Sequence, residues 1–235
     1  MPDQKQKVKK IVSWCILLVG VPLLILLGVW LFDDRKYNLI SMLIALISCV
    51  PFFIRFERGK NGARELIVIA VMTAFSVIGR LVFSPIPAFK PVTAITIIAG
   101  IALGAESGFM VGSLTAIVSN MFFGQGPWTP FQMFVWGILG FVCGALFYKK
   151  QTTNKWILAV VGLVGGVAYS LLMDVWSTVS MEGTFNIVRY LSYVGTSLPF
   201  MAMYAVSNVV FLFILAKPFL SKLNRIKTKY GIFEK

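Results

Sequence analysis

Eight long apolar runs, separated by short breaks rich in charge, proline and glycine, take up most of the 235 residues. A run of about 20 such residues is long enough to cross a ~30 Å hydrocarbon layer as a helix. In lipid the backbone has to satisfy its own N–H and C=O groups, which a helix does within a single segment. The expected fold class is therefore an all-α integral membrane protein. Only 13% of the residues are charged, about half the share usual in soluble domains, so no stretch remains for a soluble catalytic domain.

The first run, residues 11–32, follows Lys5, Lys7, Lys9 and Lys10. It is longer than the roughly 7–15 residue core of a secretory signal and no small-residue cleavage site follows, so a permanent anchor is expected. A second span covers 38–54, and a charged hinge, 55–65, contains Gly59 and Gly62. Six further spans are expected at 66–83, 91–103, 107–123, 130–148, 156–177 and 190–216. The chain thus divides into a two-helix extension (1–54), a basic hinge (55–65), a six-helix core (66–216) and a basic tail (217–235). Segment 91–103 rises only about 20 Å as a helix, so it must be extended, tilted or sheltered by its neighbours.

The net charge of +13 would suit nucleic acid if it were spread evenly, but it is not. With the N-terminus inside, 17 of the 22 Lys and Arg fall on the cytoplasmic side: four before residue 11, four in the hinge, Lys149, Lys150 and Lys155, and six after Ala216. Arg35, Lys36, Arg80, Lys90 and Arg189 make up the outer side. Short cytoplasmic loops retain positive charge, so both termini are expected in the cytoplasm of a multi-pass cell-membrane protein. The expected partner is the lipid bilayer, with no role for nucleic acid.

Several chemistries are excluded by what the chain lacks. Histidine is absent, which removes His-based metal sites, bases and proton relays. Cys15, Cys49 and Cys143 lie far apart in or beside apolar runs and read as small hydrophobes. There is no GxxxxGK[ST] loop, so any ATP drive must come from a partner. No span holds a close pair of carboxylates. Neither an enzyme nor a resident metal or cofactor is expected.

The most informative local sequence runs from Asn120 through Gly124-Gln-Gly-Pro-Trp-Thr-Pro130 to Gln132. Thr129, Pro130 and Gln132 have the spacing of a capping box, with Thr129 as the N-cap. One reading makes this loop a rigid lip over an outward pocket, with Asn120, Gln125, Trp128 and Gln132 meeting a ligand. The other makes it a capped helix start with an interfacial tryptophan. Arg80 and Asp174 sit at matching depth near the outer ends of their spans. They either pair or face a shared cavity, or each reaches the interface alone. Lys90 and Arg189 are further outer cations. Loop 178–189 carries Glu182, Asn186 and Arg189, and Tyr190 and Tyr193 follow on one helix face. With Trp128 and Trp176 these tyrosines form either an aromatic wall for a planar ring or an ordinary interfacial belt. Glu106, in the inner turn 104–108, reads as a helix-start carboxylate. Ala70 and Ala74 form a small-xxx-small pair against which another helix can pack closely.

Over residues 64–218 these features resemble the S-components, the substrate-binding subunits of energy-coupling factor (ECF) vitamin transporters. The resemblance rests on Ala70-Val-Met-Thr-Ala74, the basic inner rim and the Gly124–Pro130 element, and the last looks most like the cobalamin type. It implies a six-helix core, here preceded by two extra N-terminal transmembrane helices. It also implies an outward vitamin pocket under loops 84–90, 124–129 and 178–189, and contact of Ala70 and Ala74 with the membrane coupling subunit. The implied activity is capture of a vitamin, a corrinoid favoured, followed by release inside after docking on that subunit and two cytoplasmic ATPase subunits. Nickel and cobalt S-components use an N-terminal His that this chain lacks, which disfavours a bare metal ion as cargo.

Two other classes stay open. One is an autonomous transporter coupled to protons through Asp174 or Glu106. The other is a membrane assembly subunit whose loops bind a neighbour.

Overall fold

The computed structural model describes residues 62–182 and 185–233, together with residues 46, 47, 49, 50 and 53. The expected span at 11–32 and most of the one at 38–54 and of the hinge lie outside the described residues. The described positions from 46 to 53 are helical, and of these Cys49 is 1% exposed. Phe53 meets Phe109 edge-on at 6.4 Å.

Six α-helices follow: α1 (Ala63–Val82), α2 (Val92–Leu103), α3 (Ala105–Phe123), α4 (Thr129–Phe147), α5 (Lys155–Glu182) and α6 (Ile187–Tyr230). Among the described residues, four helices (α1, α4, α5 and α6) are long and apolar enough to cross a membrane. α2 has only 12 residues. The 19-residue α3 carries a polar row that includes Ser113, Thr115, Ser119 and Asn120. The structure therefore supports an all-helical membrane bundle, and the eight-span count is not supported by it.

All 12 residues of α2 are buried, because the helix touches each of the other five. At about 18 Å it cannot span the bilayer alone, and its neighbours shelter it. Glycine makes this burial possible. A Cβ on Gly100 would lie 2.1 Å from the Gly140 carbonyl oxygen, and one on Gly108 would lie 2.6 Å from the Gly100 Cα. α2, α3 and α4 thus meet backbone to backbone. α2 passes into α3 through Gly104 alone, at φ 101°, a conformation open to glycine and costly for other residues. On the far side of the bundle α5 and α6 share the most extensive interface, with Gly166 lying directly against the backbone of Ala205.

The last helix departs from expectation. It was expected to end near residue 216, yet it continues to Tyr230, with Pro199 and Pro218 inside it. The basic residues after Ala216 mark where the chain leaves lipid, and leaving lipid does not end a helix whose backbone bonds are already made. Its start is capped by Asn186, whose side chain accepts from the N–H groups of Val188 and Arg189. Its far end is tied back to the bundle. Lys227 Nζ donates to the Ala102 carbonyl at 2.9 Å and to Tyr148 Oη at 3.2 Å. The Tyr148 hydroxyl donates to the Phe233 carbonyl at 2.6 Å, and the Phe233 N–H donates to Glu65 at 2.6 Å.

Candidate functional site

The bundle has a Gly126 end, where loops 83–91 and 124–128 and residues 185–186 lie, and a Tyr148 end. Polar side chains converge at the first. Arg80 stands in the last turn of α1, beside Gly79, where a Cβ would lie 2.4 Å from Pro91 at the start of α2. α1 thus lies close against the start of α2 here, and Arg80 is only 8% exposed. Arg80 donates to Ser119 Oγ and, at 2.8 Å, to Asn120 Oδ1. Its charge lies over the Phe123 ring at 4.5 Å and the Trp136 ring at 5.1 Å.

Asn120 links three elements. Its amide donates to Thr129 Oγ1 at 2.9 Å and to Gln132 Oε1 at 2.8 Å. Thr129 in turn donates to Gln125 Oε1 at 3.0 Å, and Gln125 donates to the Ile117 carbonyl at 2.8 Å. The capping box is corrected here: the N-cap is Trp128 and no side chain caps the helix. Thr129 and Gln132 are taken instead by Asn120 on the neighbouring helix. The loop is nevertheless well built, with Trp128 folded flat onto Gly126, where any Cβ would strike the ring at 2.3 Å.

Behind this network lies a cavity of about 80 Å³. Arg80, Lys90 and Gln132 enter it together with Thr93, and Trp136, Tyr169 and Tyr204 form a wall. Trp136 and Tyr169 stack at 5.4 Å, and Tyr204 meets Tyr169 edge-on at 4.9 Å. Lys90 is held by its backbone, whose carbonyl accepts from Ser207 Oγ at 3.1 Å. The loop before it is pinned by Phe83 and Phe89, which pack on Phe211 at 4.9 and 5.2 Å. Burial, and after it the nearby Arg80 guanidinium, lowers the Lys90 ammonium from the ordinary lysine pKa.

Among the expected site residues, the structure brings Arg80, Lys90, Asn120, Gln125 and Gln132 together. The others do not line this cavity, although Asp174 lies near enough to act on Tyr204 in its wall. Asp174 does not pair with Arg80, because its carboxylate accepts from Ser197 Oγ at 2.6 Å on α6. Trp176 packs on Phe131 at 4.9 Å. Tyr190 donates to the Leu171 carbonyl at 3.3 Å and lies against Phe185. Tyr193 is half-buried, Arg189 is exposed, and Trp128 is 38% exposed. The aromatic wall expected from Trp128, Trp176, Tyr190 and Tyr193 does not form around this cavity. Trp136, Tyr169 and Tyr204 take that place. The signal for the two tyrosines was a hydroxyl in mid-span, a group that needs a partner in lipid.

A larger cavity of about 700 Å³ opens at the Tyr148 end between α1 and the distal part of α6, lined by Val71, Phe75, Phe219 and Tyr230 among others. It is chiefly apolar, with Arg64 and Lys222 at its edge, and lacks the converging polar groups that fix a ligand's orientation. Ala70 and Ala74 are exposed on α1, on the face that also carries Ile67, Val71 and Ile78.

A helical bundle with a short buried central helix and a polar, aromatic-walled cavity near one end defines a membrane protein built to hold a small solute. The chain belongs to the family described as the ECF-type riboflavin transporter, S component, whose model matches residues 60–225. It is also similar to a UPF0397 protein of Aliivibrio salmonicida (strain LFI1238), 31% identical over 130 residues that make up 48% of this chain and 70% of that protein. UPF0397 proteins of Aliivibrio fischeri strains MJ11 and ATCC 700601 / ES114 are each 30% identical over the same extent. The S-component class expected from the sequence is thus established, whereas the cobalamin type is not, because the matching family carries riboflavin in its description.

Proposed function

We propose that this chain is the capture subunit of an ECF importer and takes up a vitamin with a flat ring from outside the cell. The observation that carries this reading is the Arg80–Asn120–Gln132 network set against Trp136, Tyr169 and Tyr204. It provides directional polar groups beside an apolar wall, the usual make-up of a small-molecule site. The Lys and Arg count puts the Gly126 end outside and the termini inside. A cavity of about 80 Å³ is smaller than the roughly 300 Å³ or more of a complete ligand pocket. Loops 83–91 and 124–128 therefore open when cargo enters. A flavin-sized ring, in keeping with the family description, fits this geometry better than a corrinoid. The corrinoid remains the second reading, supported by the Gly124–Pro130 sequence.

Release follows docking of the Ala70–Ala74 face on the membrane coupling subunit, with two cytoplasmic ATPase subunits supplying the energy. The exposed small residues on α1 favour such an approach. Mass spectrometry of small molecules retained by the detergent-purified protein, with identification of co-purifying subunits, tests the reading. A retained vitamin together with a coupling subunit is expected. Vesicles holding this chain alone that accumulate the vitamin against its gradient, and stop when the proton gradient collapses, would overturn it in favour of an autonomous transporter.

A further inference from the structure

The charge balance of the outer cavity goes beyond that reading, although it rests on it. Arg80 is buried, and its hydrogen-bond partners, Ser119 and Asn120, are both neutral. Lys90 enters the same space, with its Nζ 5.3 Å from the centroid of the Phe123 ring that also lies under Arg80. None of the eight residues lining the cavity is acidic. Asp174, the carboxylate best placed in sequence to answer Arg80, is engaged by Ser197 instead, and the cavity residue on which its charge acts is Tyr204, not Arg80 or Lys90. A cation removed from water needs a counter-charge, and two neighbouring cations need one more. Aromatic faces attract such charges without neutralising them.

We propose that the cargo carries an anionic group, a carboxylate or a phosphate ester, and that Arg80 and Lys90 receive it in this cavity. The planar fork of Arg80 suits two parallel bonds to either group, and Gln132 and Thr93 add neutral hydrogen-bonding side chains. The volume agrees: about 80 Å³ is small beside the roughly 300 Å³ or more of a complete ligand pocket. A space this compact suits the anionic head, and the ring of the cargo enters as the loops open.

The test uses the full chain in nonionic detergent. Thermal unfolding is followed in sodium benzoate and sodium phosphate against sodium chloride of equal ionic strength, and riboflavin is compared with riboflavin 5′-phosphate by calorimetry. Benzoate or phosphate is expected to stabilise the wild type beyond chloride, and Arg80→Gln and Lys90→Gln are expected to abolish that gain. The 5′-phosphate is expected to bind at least tenfold more tightly than riboflavin. Should Arg80→Gln fail to fold, Asn120→Asp carries the test: it places a carboxylate beside Arg80, so the folded variant is expected to lose its response to added anions. Riboflavin binding as tightly as its phosphate and unaffected by Lys90→Gln would overturn the anionic assignment and leave the capture reading intact. No response to any anion, with a coupling subunit still co-purifying, would likewise overturn only the anionic assignment. No response to any probe and no co-purifying subunit would overturn both.

Discussion

Replacing Gly140 by alanine should loosen the three-helix junction on which the site is built. A Cβ at this position would lie 2.4 Å from the Gly108 carbonyl oxygen, 2.6 Å from its carbon and 2.7 Å from Thr96 Cγ2, where ordinary contact begins near 3.4 Å. Two of the three obstacles are backbone, so α4 must retreat from α3 by about 1 Å. A gap of 0.5–1 Å already forfeits a quarter to a half of each contact's attraction, and overpacking of this kind costs about 1–3 kcal/mol. Alanine returns up to about 1 kcal/mol as the better helix former, so the net loss falls towards the lower part of that range. For a chain of this size each kcal/mol corresponds to about 2–4 °C in Tm, which gives a fall of several degrees. Tryptophan fluorescence during heating in detergent reads it out, with the buried Trp136 on the same helix as reporter. Gly195→Ala on α6 is the control: nothing lies within 4 Å of its Cβ position, so helix propensity alone should raise Tm slightly. A Gly140→Ala protein as stable as the wild type, or an equal fall for Gly195→Ala, would refute the close-packed junction.

Asn120→Leu should leave Arg80, Thr129 and Gln132 short of a partner, at about 1–3 kcal/mol for each group left unpaired. A lowered Tm and faster proteolysis of loop 124–128 would register it. Ala74→Leu should leave ligand retention and Tm close to wild type while weakening co-purification of the coupling subunit at least tenfold, measured by quantitative pull-down. Lys90→Met should change the pH dependence of unfolding. Because the folded-state pKa of Lys90 lies below its unfolded value, the unfolded chain holds the extra proton between the two, and wild-type stability rises with pH across that window. Arg80, Tyr169 and Tyr204 also face this space, so the comparison is the difference between wild type and variant, which should lack the rise assigned to Lys90.

Span positions between residues 63 and 182 were legible because lipid forces an apolar run and a helix to coincide. That rule lapses at the membrane surface. Lys217 and Pro218 mark the exit from lipid correctly and say nothing about where α6 stops. Helix-start spacing misled in a similar way at Thr129 and Gln132. Both residues are competent to cap, and Asn120, nine positions before one and twelve before the other and on the adjacent helix, claims them first. For the cavity, depth was readable and direction around the helix was not. Arg80 and Asp174 lie at comparable depth, yet α1 packs on α2 and α3 whereas α5 packs chiefly on α6, so the two side chains turn to different partners. Trp136, Tyr169 and Tyr204 were hidden among 33 aromatic residues, of which 20 are phenylalanine, because a ring in mid-span usually does no more than fill space.

The length of α6 bears on how any movement of the bundle in the membrane could be observed. Its 44 residues have a contour of about 66 Å at 1.5 Å per residue, roughly twice the ~30 Å of hydrocarbon. The surplus length does not stand free, because Lys227 and Phe233 fasten it to Ala102, Tyr148 and Glu65. A fluorophore near Tyr230, paired with one on the membrane surface, would therefore report movement of the whole bundle relative to the bilayer.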